Sequence, residues 1–313
     1  MKRKLKWITA IVLVLTLGFF SGGLWFASNQ LLFPSFNGSI NGPFICSPEA
    51  EKYWGGSCGN LRETRQFKFS DVQIRSVNGY DLPGWRIKAS DNGMEQARGV
   101  IMLVPAGGSD KREETRYIQF FLSQKLDVLT LDLGCQGEAP CPMPGLTYGQ
   151  RESRDVFSAY LYLTEKYEKV YAMGSSVGAA SILVALPEMP KLAGVIAENP
   201  LFSYQRLIKE APESQSLPGW ATDVLIWLAM VRGRFDGLQS AENSLRLTKT
   251  TPVFFIHSKE DKVISYQQTQ ELYDLYSGHR TIWFSDKGEH TRIWDVDPAA
   301  YEKRVVDFLD STK

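Results

Sequence analysis

Apolar and polar positions along this chain follow two alternating periods. Short, nearly unbroken apolar runs at 99–104, 128–131, 169–173, 193–197, 253–256 and 280–284 predict buried strands. Between them lie stretches with apolar residues at helical spacing. The clearest is 150–167, where Val156, Ala159, Tyr160, Leu163 and Tyr167 share one face. Ser265 and Gln268 predict a capping box that opens a helix closing at Gly278. Asp297-Pro298 opens a last helix that turns Tyr301, Val305 and Phe308 inward. Ahead of this series, 67–88 reads as two strands joined at Asn78-Gly79, a strong hairpin signal. A charged helical stretch is expected from Asp110 onward. Strands alternating with helices predict an α/β fold, a mostly parallel sheet flanked by helices on both faces. Sites in such sheets form at the C-terminal ends of the strands.

Two segments depart from the alternation. Trp7 to Ala27 is uncharged and apolar, and Lys2, Arg3, Lys4 and Lys6 precede it. About twenty such residues suffice to cross a bilayer as a helix, and the basic flank should stay cytoplasmic. The chain then divides into a basic cytoplasmic segment (1–6), a transmembrane signal anchor (7–27), an exported irregular segment (28–65) and a globular domain (66–313). The alternative is a signal peptide cleaved near Ser21-Gly22-Gly23, which would leave the domain free. Either reading exports the domain to the periplasmic or extracellular side. The second departure, 201–250, contains Leu217-Pro218-Gly219-Trp220, Trp227 and Met230, and reads as a small helical cap inserted between two strands. Its apolar residues either roof a site or pack on the body.

Composition adds two constraints. The 313 residues carry 35 Lys and Arg against 35 Asp and Glu, and no basic block lies outside the first six residues, so no nucleic-acid partner is expected. The four cysteines fall in two close pairs, Cys46 with Cys58 and Cys135 with Cys141. Local disulfides fit an oxidising compartment, although three pairings are formally possible. With three histidines and no C-x₂₋₄-C spacing, no zinc site is indicated.

The candidate chemistry centres on Gly174-Ser175-Ser176-Val177-Gly178, which joins an apolar strand to a small-residue helix. This is the order of a nucleophile elbow, with Ser176 on the tight turn. A serine needs a base. Of the three histidines, His279 follows a helix end and suits a surface role, and His257 ends a strand and suits a structural one. His290, in the polar loop Asp286-Lys287-Gly288-Glu289-His290, fits the chain order of nucleophile, acid, base. Asp261 is the candidate acid, with Glu260 as the fallback. Two backbone N–H groups should form an oxyanion hole. One belongs to Val177; the other comes from the loop after 99–104, Gly107 first and Ala106 second, since Pro105 has no N–H to donate.

Taken together these motifs resemble the alpha/beta hydrolase superfamily, most of all its single-pass, membrane-anchored hydrolase domain proteins and their bacterial relatives. The resemblance spans about 66–310. It rests on Ile101 to Gly108, on Asp132-Leu133-Gly134-Cys135-Gln136-Gly137-Glu138, on the elbow, on Glu198-Asn199-Pro200, on Pro252 to Ile264 and on Gly288-Glu289-His290. Three departures stand out: Pro105-Ala106 in place of the family's His-Gly, Gly134-Cys135 in place of its Arg-Gly, and Ser258 in place of a glycine. The resemblance implies a serine hydrolase that cleaves carboxylic esters or thioesters of small, lipid-like acyl substrates. No metal or organic cofactor is implied. An aminopeptidase-like peptidase and a membrane-tethered, non-catalytic scaffold are the alternatives.

Overall fold

The structure is a computed structural model describing residues 2–34, 51, 52, 54, 56–141, 145–235 and 239–312. Its centre is a sheet of strands β1 (Ser70–Arg75), β2 (Asp81–Ile87), β3 (Gly99–Val104), β4 (Leu126–Leu131), β5 (Val170–Ser175), β6 (Leu192–Glu198), β7 (Val253–Ser258) and β8 (Arg280–Ser285). The order across the sheet is β1-β2-β4-β3-β5-β6-β7-β8. β1 and β2 form the expected hairpin, and β2 also runs antiparallel to β4. Every other neighbouring pair is parallel. All residues of β3, β4, β5 and β7 are buried, which is why those segments read as unbroken apolar runs.

Helices cover both faces. The α-helices of six or more residues are α1 (Lys2–Leu32), α2 (Ile118–Ser123), α3 (Gln150–Thr164), α4 (Val177–Ala185), α5 (Tyr204–Glu210), α6 (Gly219–Arg232), α7 (Ala241–Leu247), α8 (Tyr266–Leu275) and α9 (Pro298–Ser311). One core cluster joins α3 and α4 to the sheet through Val156, Leu163, Ile182 and Leu183. A second, on the other face, joins α2 and α9 to it through Phe121, Val305 and Phe308.

Several elements differ from their local patterns. The charged stretch after Asp110 is a 3₁₀ turn, Glu113–Tyr117, running into the short α2. Two of its charges make buried pairs, Arg112 with Asp110 at 2.8 Å and Lys111 with Asp132 at 2.5 Å, so the stretch turns into the body instead of forming an exposed helical face. α8 stops at Leu275, short of Gly278. The capping box at its start is only half made. Ser265 accepts from the Gln267 N–H at 3.3 Å, but the Gln268 side chain turns to the cap. There it accepts from the Phe202 N–H at 3.1 Å and donates to Glu210 at 2.7 Å.

α1 runs past Ala27 to Leu32 and its end is built into the body. Leu32 is buried, its carbonyl accepts from the Leu146 N–H at 2.8 Å, and the Leu31 carbonyl accepts from the Tyr148 hydroxyl at 2.8 Å. Ten of the 21 side chains of the apolar run at 7–27 lie outside the described residues. Among the described residues no helix is long and apolar enough to cross a membrane. Cys135 and Cys141 form a disulfide, and Cys58 is disulfide-bonded as well. Cys46 lies outside the described residues.

Candidate active site

The last residue of β5 and the first of α4 enclose Ser176. Its backbone sits at φ 53°, ψ −116°, a region that costs a non-glycine residue roughly 1–3 kcal/mol. The surroundings hold it there. Its N–H donates to the Glu198 carbonyl at 2.8 Å, and its carbonyl accepts from the Ala180 N–H at 2.9 Å. Gly178 must lack a side chain, because a Cβ there would lie 2.2 Å from the Val104 carbonyl oxygen and 2.5 Å from that of Pro105. This contact presses the start of α4 against the loop that follows β3. In the same loop, a Cβ on Gly107 would fall 2.7 Å from the Val177 side chain. Gly107 and Val177, the two residues expected to supply backbone donors, are therefore immediate neighbours. The Gln136 amide, with its nitrogen turned to this loop, donates to the Ala106 and Ser109 carbonyls at 3.3 and 3.0 Å.

The loops after β7 and β8 bring Asp261 and His290 together. Asp261 Oδ2 accepts from His290 Nδ1 at 2.7 Å. The Asp261 side chain is fully buried, while that of His290 is one-fifth exposed. Asp261 Oδ1 accepts the Val263 and Ile264 N–H groups at 2.8 and 2.9 Å, so the turn itself fixes the carboxylate. Burial opposes ionisation, but the hydrogen bonds from His257, His290 and Ile264 outweigh it and hold the carboxyl far below the usual carboxylate range. With Nδ1 engaged, Nε2 is the ring nitrogen left for proton transfer. No hydrogen bond joins Ser176 Oγ to His290 among the described residues, and such bonds commonly tighten only around substrate.

The other candidates have other partners. Glu260 accepts the Gly288 N–H at 2.9 Å and so braces the loop that carries His290. His257 is buried, with Nδ1 against Thr269 Oγ1 at 2.6 Å and Nε2 against the Ile264 carbonyl at 3.0 Å. His279 is exposed and offers its carbonyl to the Val253 N–H at 2.9 Å.

Two contacts were invisible in the local patterns. His257 Nε2 also lies 3.1 Å from Asp261 Oδ2. Asn199 Nδ2 donates to the same oxygen at 2.5 Å. Asn199 adopts φ 48°, a left-handed conformation that asparagine tolerates better than most residues. It follows Glu198, whose carbonyl holds the Ser176 N–H, so one dipeptide at the end of β6 touches both the elbow and the acid. The Glu198 carboxylate accepts from Tyr301 at 3.0 Å and Ser175 at 3.2 Å, and its burial raises its pKa.

An apolar cluster adjoins the elbow. Leu146, Tyr148, Val177, Leu201, Tyr204 and Ile264 meet Ile226 and Ala229 of the cap helix α6, with Leu31 of α1 packed against them. The cap's inward residues thus pack on the body directly beside Val177.

The sheet order, the strained serine at the β5–α4 turn and the Asp–His pair beyond β7 and β8 together decide the architecture. The chain has the alpha/beta-hydrolase fold. Residues 145–288 match the prolyl oligopeptidase family. The uncharacterized protein YqkD of Bacillus subtilis is 26% identical over 247 residues, covering 76% of this chain and 78% of YqkD. The uncharacterized protein YfhR of Escherichia coli is 21% identical over 242 residues, covering 76% and 79%. Among solved structures, the Pyrococcus furiosus esterase Pf2001 superposes with a TM-score of 0.64 at 21% identity, covering 80% of this chain and 95% of the esterase. An acetyl xylan esterase from Paenibacillus sp. R4 gives 0.62 at 12% identity, covering 88% and 98%.

Within the alpha/beta-hydrolase frame, the departures at Gly134 and Ser258 have physical reasons. A Cβ on Gly134 would stand 2.1 Å from the Tyr80 hydroxyl, so the family's arginine has no room. The neighbouring carboxylate, Asp132, takes its cation from the loop after β3 instead: Lys111 Nζ lies 2.5 Å away, and both side chains are fully buried. Ser258, where the family has glycine, donates its hydroxyl to the Gly288 carbonyl and ties the acid loop to the histidine loop.

Proposed function

We propose that this protein is a serine hydrolase cleaving carboxylic ester or thioester bonds through an acyl-enzyme, with Ser176, Asp261 and His290 as its triad. The Asp261–His290 pair, joined through Asn199 and Glu198 to the strained Ser176 turn, carries the reading. Ser176 Oγ attacks the acyl carbonyl as its proton passes to His290 Nε2, and the C=O electron pair moves onto oxygen. The Val177 and Gly107 N–H groups stabilise that oxyanion. The tetrahedral species collapses, the C–O or C–S bond breaks, and the leaving group takes the proton from Nε2. Water then attacks the acyl-enzyme, gives a proton to the same nitrogen and releases the acid, and the serine hydroxyl is restored. Asp261 holds the imidazole tautomer and stabilises the imidazolium throughout. The apolar cluster beside Val177 favours an acyl chain over a charged amino terminus.

The match to the prolyl oligopeptidase family favours a second reading, a peptidase of aminopeptidase type. With either activity, the proposed location of the domain is outside the cytoplasmic membrane, tethered by the apolar run at 7–27 or freed by cleavage near Ser21-Gly22-Gly23. Fluorophosphonate labelling tests the shared chemistry. Wild type should label and Ser176→Ala, with intact folding, should not. No labelling of fully oxidised wild type would leave only a scaffold of hydrolase fold. A panel of acyl esters and aminoacyl amides separates the two enzymatic readings, and sedimentation with membranes tests the anchor.

A further inference from the structure

The cap helix α6 is apolar on two opposite faces. One packs inward through Ile226 and Ala229. On the other, Trp220, Val224, Trp227 and Val231 recur every three or four residues along one stripe, 69%, 37%, 62% and 56% exposed. Over its 14 residues α6 carries only Asp223 and Arg232 as charges. A helix apolar all round is normally covered all round.

The neighbouring element points to what covers it. α6 packs against the C-terminal turns of α1. Arg232 donates to the Trp25 carbonyl at 2.9 Å and to Asn29 Oδ1 at 3.2 Å, and its guanidinium stands 3.6 Å over the Trp25 ring. Trp25 is itself 59% exposed, on the helix that carries the apolar run. Tryptophans grouped with an arginine where an apolar helix ends are the side chains of a membrane–water interface. Trp25 and Arg232 make this anchor end continuous with the cap stripe, and the cap's other face meets the cluster beside Val177.

We infer that the outward stripe of α6 is a lipid-docking face that seats the cap on the bilayer surface beside α1. The inference rests on the anchored serine-hydrolase reading and gives it a substrate class. The acyl chain of an ester embedded in the bilayer would pass from the lipid surface under the cap to Ser176.

The test uses the full chain reconstituted in vesicles of phosphatidylcholine and phosphatidylglycerol, with or without brominated phosphatidylcholine as a tryptophan quencher. Trp7, Trp25, Trp220 and Trp227 are the exposed tryptophans. Trp220→Gln/Trp227→Gln removes two of these four, so about half of the lipid-quenchable emission should disappear. In the same vesicles the variant should hydrolyse a short water-soluble ester at the wild-type rate and a bilayer-embedded long-chain ester about tenfold more slowly. Unchanged quenching in the variant overturns the inference. So does a stripe that instead pairs two copies, seen as a wild-type dimer that becomes monomeric in the variant. Absence of hydrolysis by either protein would sink the catalytic reading, and failure to sediment with vesicles the anchor. The quenching comparison stands apart from both.

Discussion

Replacing Asp261 by Asn separates the two acids that follow β7. The carboxylate accepts from His290, His257 and Asn199 through Oδ2 and from two backbone N–H groups through Oδ1. An amide keeps the shape but turns an N–H₂ toward at least one of these donors. The imidazole then loses the partner that fixes its tautomer, which in a serine triad costs kcat about 10⁴-fold. At about 1.4 kcal/mol per decade, that is roughly 5 kcal/mol of transition-state stabilisation. Glu260→Gln should behave differently. The one described hydrogen bond of its side chain comes from the Gly288 N–H, which an amide oxygen still accepts, so kcat should stay within about threefold. Steady-state hydrolysis of a soluble ester, with thermal unfolding as a control, measures both. A collapse in Glu260→Gln together with near-normal turnover in Asp261→Asn would refute the assignment of the acid. The same carboxylate predicts a pH signature. Its folded pKa is depressed, so its stabilisation is fully present above the unfolded value of about 4 and is lost as pH falls toward the folded one. The wild type's stability advantage over Asp261→Asn should therefore be flat from pH 7 to about pH 5 and shrink below about pH 4 in urea titrations.

Two further outcomes follow from the site. Ser176→Gly should abolish labelling and yet raise stability by about 1 kcal/mol, since glycine relieves the positive φ; a thermal shift of roughly 2–4 °C measures it. Lys111→Met should cost about 3–5 kcal/mol by stranding the buried Asp132, and Lys111→Met/Asp132→Asn should recover part of that loss in chemical denaturation.

Features decided by near neighbours in sequence were legible before the structure. Asn78-Gly79 supplies its own turn, the elbow's glycines sit beside the serine they make room for, and the buried strands announce themselves as apolar runs. His290 could be chosen by chain order and by the polar loop that carries it. The contacts that tune the site were not legible, because each joins segments far apart along the chain. Asn199 and His257 converge on Asp261 from β6 and β7, and their identities alone suggest only a loop asparagine and a strand-end histidine. Gln268 has the right type and spacing for a capping box, but a stronger set of partners in the cap takes it. Lys111, in a stretch that reads as a charged helix, is instead an interior cation because Asp132 waits across the loop.

The way α1 ends has a bearing on what the proposed tether would mean for the domain. Its last turn is hydrogen-bonded into the body at Leu31 and Leu32 and gripped by Arg232 near Trp25, whereas Ser21, Gly22 and Gly23 stand exposed. A cut at those three residues would remove the apolar stem and leave in place the residues that plug the domain. The released and tethered forms would then share one intact interior, differing in address rather than in architecture.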